Sequence, residues 1–284
     1  MKSLKLCIVI PIYNEQDIVR NSIDTILKYT NKLPPIVTVL VVNDGSVDAT
    51  EQIVNEIVNN QESEKLMLIS HSKNQGYGAA IKTGINFAST NEYDYILFMD
   101  CDLTNHPKYL EDFYKKMIKG YDYIKATRYG KNASVFGVPL QKKILSIVGN
   151  LIARILYGMP LKDLTNGFRA AKVEIMKTID LKENGFVIIM EELYYVKSIA
   201  RTFCEVPFVL TSRASGKSKF SYSPTAIYSY LKYPLKTFCE VPFELTSRAE
   251  SQGKSKFSYG PAAIYSYLKY PLKTFFESQF SNFK

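Results

Sequence analysis

Two carboxylates one residue apart, Asp100 and Asp102, follow the apolar run 95–99 in this chain of 284 residues. A run of that kind reads as a buried strand, and acids spaced i and i+2 at its carboxyl end can reach one hard cation, Mg2+ or Mn2+. Such an ion would also bind a diphosphate and act as a Lewis acid toward a departing nucleoside diphosphate. Asp-x-Asp alone is common and often marks only an exposed acidic turn; the strand before it gives it weight. Three further segments stand at comparable places. Pro11-Ile12-Tyr13-Asn14-Glu15 ends the first apolar run and presents a ring and a carboxylate where a helix begins. Asn43-Asp44-Gly45-Ser46-Val47-Asp48 ends the second. Asp44 suits a base N–H and Gly45 a tight turn, while Ser46 or Asp48 would serve equally as a helix cap. Asn74-Gln75-Gly76-Tyr77-Gly78 opens a helix but lacks the third glycine of a dinucleotide fingerprint, which argues against a dehydrogenase.

The elements that must position these groups alternate. Apolar runs at 6–12, 37–42, 66–70 and 95–99 read as strands, and the spacing predicts helices over 15–29, about 49–59 and about 77–89, the first with Asn14 as N-cap. Nearly uninterrupted apolar strands separated by helices imply an α/β fold with a mostly parallel sheet covered on both faces. Ligands bind such sheets at the carboxyl ends of the strands, where all four segments fall.

Charge is uneven along the chain. Residues 201–284 hold 12 Lys/Arg against 5 Asp/Glu, with 8 Tyr and 10 Phe, so most of the net charge of +9 sits there. Basic and aromatic together suit an anionic membrane surface, nucleic acid or a plain solvated face. The most apolar stretch, 144–161, is interrupted by Asn150 and Arg154 and does not span a bilayer; the first residues read as a strand and not a signal peptide. Cys7, Cys101, Cys204 and Cys239 show no metal or disulfide spacing, which fits a reducing compartment and peripheral attachment at the cytoplasmic face of a membrane.

The carboxyl end repeats itself. Residues 202–236 recur as 237–273, with one difference in the first twelve positions and two extra residues before Gly253. Two copies make no solenoid. The near identity points to a recent tandem duplication or to an error of sequence assembly. Residues 224–236 and 261–273 each start with proline and read as short amphipathic helices carrying Tyr and Lys, fit for the headgroup plane or for packing on the globular domain.

In order, PIYNE, VNDGSVDAT, NQGYGAA and MDCD resemble the nucleotide-binding half of family 2 glycosyltransferases, which have the GT-A fold. Ala126-Thr-Arg128-Tyr129, the run from Asp163 through Gly167-Phe168-Arg169, Gly185-Phe186 with Glu191, and Arg213-Ala-Ser-Gly216-Lys-Ser218-Lys219 narrow the likeness to polyprenyl-phosphate (dolichyl-phosphate) hexose synthases. The resemblance implies a catalytic domain over 1–220 and a membrane-proximal segment over 221–284. It implies that Pro11, Tyr13, Glu15, Asp44 and Gly76 hold the nucleotide sugar, with Asp100 and Asp102 on the metal. Arg128, Lys143, Ser146 and Arg169 would face the acceptor phosphate, and Glu191, Arg213 and Lys219 would close over the donor diphosphate and sugar. Asn43, Thr104 and Ile189 depart from the family pattern, which bears on donor identity. Copy one keeps the family spacing after Arg213, so catalysis is assigned there.

The leading expectation is inverting transfer of a hexose from a GDP- or UDP-sugar to a polyprenyl or dolichyl phosphate. The alternatives are transfer to a glycan hydroxyl, which needs a general base, and a non-catalytic nucleotide-sugar-binding protein. Nucleic acid is not an expected partner, and the sequence leaves the oligomeric state open.

Overall fold

The computed structural model describes residues 4–33, 36–60, 65–137, 140–211 and 224–239. The expected alternation is present: β1 (Leu6–Ile12), α1 (Val19–Thr30), β2 (Val37–Asn43), α2 (Thr50–Asn59), β3 (Leu66–Ser70), α3 (Tyr77–Thr90) and β4 (Tyr95–Phe98). Next come α4 (Leu110–Ile118), β5 (Tyr123–Thr127), β6 (Ser134–Val135), α5 (Leu140–Tyr157), β7 (Arg169–Lys172) and α6 (Val173–Met176). The described chain ends with α7 (Ile188–Ile199), β8 (Phe203–Pro207), β9 (Val209–Leu210) and α8 (Pro224–Cys239).

Seven strands form one sheet in the order β3-β2-β1-β4-β7-β5-β8. All run the same way except β7, which is antiparallel to both β4 and β5. Strand periodicity divides the core. Leu6, Ile8, Ile10 and Ile12 of β1 join one apolar layer with Val19, Ile23 and Ile26 of α1. Cys7 and Val9 join the other with Ala80 and Ile81 of α3 and Leu193 of α7. Both faces of β1, β2 and β4 are therefore buried, and the polar side chains that follow these strands gather where they end.

Asn14 differs from expectation. It adopts a left-handed φ of 49° and its Oδ1 accepts from the Val47 backbone N–H, so it ties two loops together instead of capping α1, which starts five residues later. The expected boundary between 220 and 221 lies outside the described residues, as does nearly all of the second repeat copy. The helix of copy one, α8, packs on the globular domain: Leu231, Tyr233 and Leu235 are buried while Lys232 and Lys236 remain exposed.

α3 lies close on β1 because Gly84 has no side chain. A Cβ there would stand 2.6 Å from Val9 Cγ1. Gly84→Ala is therefore expected to destabilise the fold by about 1–3 kcal/mol through overpacking, and a second change, Val9→Ala, to recover part of the loss. Urea midpoints check this; an unshifted Gly84→Ala midpoint would mean that α3 can move away freely.

Candidate active site

The sheet delivers Tyr13 from the end of β1, Asp44 from β2 and Asp100 from β4 to one edge of the molecule. Asp44 is only 3% exposed, and its lone pairs are largely engaged. Its Oδ1 accepts from the Gln75 N–H at 2.9 Å and meets His71 Nδ1 at 2.8 Å, while Oδ2 accepts from the Gly76 N–H at 2.8 Å. His71 Nε2 in turn stands 2.8 Å from Thr83 Oγ1. Asp44 thus holds the 75–76 turn in place, a different task from the base contact expected of it. Gly76 has φ 101°, and a Cβ there would strike Asn184 O at 2.3 Å. Together with the Gly78 N–H, which donates to Asn184 O at 2.6 Å, this packs the turn against residues 182–186 and leaves it facing protein.

The Asp100–Asp102 segment holds its carboxylates in a defined arrangement. Asp102 is 5% exposed and its Oδ1 accepts from both the Thr104 N–H and the Thr104 hydroxyl, at 3.0 and 2.7 Å. Between them Leu103 takes a left-handed φ of 57°, a strained conformation for a branched apolar residue. Asp100 is half-buried and accepts from Asn105 Nδ2 at 3.1 Å, and Asn105 Oδ1 is buried with no hydrogen-bond partner. Gly167 faces the same carboxylate: a Cβ on it would lie 3.8 Å from both Asp100 oxygens and 3.3 Å from Tyr77 Oη. Two carboxylates, an orphaned oxygen acceptor and a gap left by glycine suit a hard divalent ion. Among the described residues no group of three or more His, Cys, Asp or Glu has metal-binding geometry, so the remaining positions would fall to ligand phosphate and water.

Arg128 forms a bidentate pair with Asp163, Nε to Oδ2 at 2.7 Å and Nη2 to Oδ1 at 2.9 Å, and also reaches Thr165 Oγ1. Its side chain is 16% exposed above a fully buried carboxylate. Burial would raise the Asp163 carboxyl, but the Arg128 guanidinium overrides it and holds the group below the usual carboxylate range. Tyr129 Oη contacts Ser146 Oγ at 3.1 Å, and Lys143 stands exposed one turn earlier on α5. The helix is anchored by Asn150, which donates to Thr165 Oγ1 and accepts from the Leu164 and Thr165 N–H groups. Asn150 was visible in the sequence only as an interruption of an apolar run. The same periodicity hid a second feature: Ile144, Ile147, Val148, Leu151, Ile152 and Ile155 form an exposed apolar stripe along α5.

Two expected site residues are elsewhere. Arg169 does not face an acceptor phosphate. It is fully buried, with Nε and Nη2 on the Glu192 carboxylate at 2.7 and 2.5 Å and Nη1 on Gly167 O at 2.8 Å, above the Phe98 ring. Glu191, 1% exposed, does not close over the donor: it accepts from the Lys182 and Glu183 N–H groups and from Tyr233 Oη, and so fixes the 182–184 loop. Arg213 and Lys219 lie outside the described residues. Tyr13, Glu15 and Pro11 sit half-buried at the β1 edge.

A mostly parallel sheet with carboxylates at its strand ends is GT-A-like, the form of glycosyltransferases. The description Glycosyl transferase family 2 matches residues 7–180, and the chain belongs to that family; it is a glycosyltransferase. It is 28% identical over 219 residues to a polyprenol monophosphomannose synthase of Mycolicibacterium smegmatis, covering 76% of this chain and 81% of that protein. It is 29% identical over 237 residues to a dolichol-phosphate mannosyltransferase of Pyrococcus furiosus, covering 81% of this chain but only 62% of the relative. The solved glucosyl-3-phosphoglycerate synthase of Mycobacterium tuberculosis, in complex with Mn2+, UDP and glucosyl-3-phosphoglycerate, superposes with a TM-score of 0.61 at 18% identity. That likeness covers 82% of this chain and 80% of that one, and shows the shared fold.

The Arg169–Glu192 pair predicts a large asymmetry. Arg169→Met strands a buried carboxylate and is expected to cost about 3–5 kcal/mol, whereas Arg169→Met/Glu192→Gln returns most of it; equal losses in urea titrations would contradict this. Lys125 gives a pH test. It is fully buried, donates to Asn166 O at 2.7 Å, and is pushed down to about 7 by burial and then by Arg169. Between about pH 7 and 10.5 the unfolded chain binds a proton the folded chain lacks, so this group's penalty is full below about 7 and fades as pH rises. Lys125→Met should therefore gain most over the parent near pH 6 and least near pH 10; a pH-independent difference would refute it.

Proposed function

We propose that this chain moves a hexose from a GDP- or UDP-sugar to a polyprenyl or dolichyl phosphate at a membrane surface, inverting the anomeric carbon. One observation carries the acceptor reading. α5 bears Lys143 and Ser146, group types that bind phosphate, beside an exposed apolar stripe fit to lie against lipid. Through Tyr129 the same helix end adjoins Arg128. The names of the two synthases related in sequence support the same reading.

The proposed roles rest on the family resemblance together with this geometry. Tyr13, Glu15 and Pro11 form the wall for the nucleotide, and Asp44 and Gly76 shape its floor by fixing the turn. Asp100 and Asp102 would hold Mg2+ or Mn2+, which when bound supplies charge neutralisation to the departing diphosphate. Arg128, Lys143 and Ser146 orient the lipid phosphate for in-line attack, and Arg213 and Lys219 are assigned to the donor diphosphate. A lipid phosphate arrives as an oxyanion, so the site needs orientation and leaving-group stabilisation and no general base. Asp163 fits that demand, because a buried carboxylate locked by Arg128 below its usual range is a poor proton acceptor. The exposed apolar stripe of α5 is the surface assigned to the membrane; no helix among the described residues is long and apolar enough to cross one.

The test is transfer of label from a panel of GDP- and UDP-sugars into the lipid fraction with a short polyprenyl phosphate and Mn2+ or Mg2+. Asp102→Ala should lower kcat by about a hundredfold or more, and Lys143→Ala should raise KM for the lipid with a smaller effect on kcat. Transfer to a glycan, with none to the lipid phosphate, would sink the acceptor assignment.

A further inference from the structure

α8 is seated in a groove through a short set of residues. Tyr230 Oη donates to Phe186 O at 3.2 Å, and Lys232 Nζ bonds Glu183 Oε1 at 2.7 Å. Tyr233 Oη lies 3.1 Å from Glu183 Oε1 and donates to Glu191 Oε1 at 2.9 Å. Lys236 Nζ rests 4.5 Å from the Tyr194 ring centroid, Tyr233 joins the apolar layer that includes Leu193 and Val196 of α7, and Leu231 and Leu235 are buried. All of these contacts come from Tyr-Leu-Lys-Tyr-Pro-Leu-Lys at 230–236. The identical seven residues, followed by the same Thr, stand again at 267–274.

We infer that this groove is a docking site for two interchangeable occupants, and that residues 261–274 of the same chain exchange with α8 in it. Identical side chains on an identical surface make identical contacts, so only the tether distinguishes the copies. Tyr230 lies 20 residues beyond Leu210, the end of β9, and Tyr267 lies 57 beyond it. The probability of closure falls with the three-halves power of tether length, which favours copy one by roughly fivefold and leaves copy two a substantial share. The groove matters to the site because its far wall, residues 182–186, packs on the Gly76–Gly78 turn through Asn184 O. Whichever copy is seated braces that turn, and damage to one copy is covered by the other.

A zero-length carbodiimide joins carboxylate to amine only at ion-pair distance, and it reads the occupant directly on the full-length protein. The expected monomeric products are Glu183–Lys232, and at a minor level Glu183–Lys269. Their tryptic peptides differ in mass because Ser223 and Thr225 of copy one are Gly260 and Ala262 in copy two. Tyr230→Ala/Tyr233→Ala should shift the product to Lys269 with a small change in melting temperature, whereas adding Tyr267→Ala/Tyr270→Ala should abolish both products and lower the melting temperature clearly. Tyr267→Ala/Tyr270→Ala alone should leave the Lys232 product intact. The proposal is overturned by an intact mass lacking the second copy, by a Lys269 product confined to cross-linked dimers or absent, or by a copy-one variant as destabilised as the fourfold one.

Discussion

The buried ion pair between Arg169 and Glu192 is the constraint on which the site end of the molecule depends. Arg169 sits on β7, the one antiparallel strand of the main sheet, and Glu192 on α7, so the pair fixes a helix to the sheet at its centre. Tyr123 of β5 donates to the same carboxylate at 2.7 Å, and Arg169 Nη1 donates to Gly167 O. Gly167 is the residue that leaves room beside Asp100. A charge pair at this depth earns little net stability against an apolar replacement. Its value is geometric, because a bidentate guanidinium holds strand, helix and loop in one orientation that apolar packing would not specify as narrowly.

A second chain of polar contacts runs parallel to the first. Asp44 holds the Gly76 turn, Asn184 O presses on that turn, Glu191 holds the 182–184 loop, and Tyr233 of α8 reaches Glu191. Two of the acids that the family resemblance places on the ligand, Asp44 and Glu191, accept from backbone N–H groups of the loops beside them. The loops at the strand ends carry no regular ladder, so their shape is dictated by such carboxylates. Asp100 and Asp102 differ in kind: each takes a partner from its own segment, and Asp100 also faces the gap beside Gly167.

This division explains how far the sequence could be read. β1, β2, β3 and β4 were legible because a sheet covered on both faces demands uninterrupted apolar runs. The place of Asp100 and Asp102 just beyond a strand was legible because that strand is. β7 was not, since Arg-Ala-Ala-Lys carries no strand pattern and is ordered only by its two neighbours. Arg169 misled for a related reason: arginine is expected at phosphate sites, and its burial depends on Glu192, which is 23 residues away and brought opposite by the fold. The 144–161 stretch was judged by length for spanning a bilayer, and its amphipathic period, with Asn150 inward and the isoleucines outward, emerged only once α5 had a partner.

The arrangement of charge around Arg128 bears on what kind of nucleophile the proposed reaction can use. A sugar hydroxyl must lose a proton as it attacks, and the group that takes it has to be accessible and basic. Around Arg128 the nearest carboxylate is Asp163, which has no exposure and is already neutralised on both oxygens. The accessible groups there, Lys143, Ser146 and the outer edge of Arg128, are donors, suited to an acceptor whose charge is present from the start. An isoprenoid phosphate meets that requirement and brings an apolar tail, which needs a surface of its own. The isoleucine stripe of α5 provides one within two turns of Lys143 and Ser146, so a single amphipathic helix would satisfy both ends of one molecule.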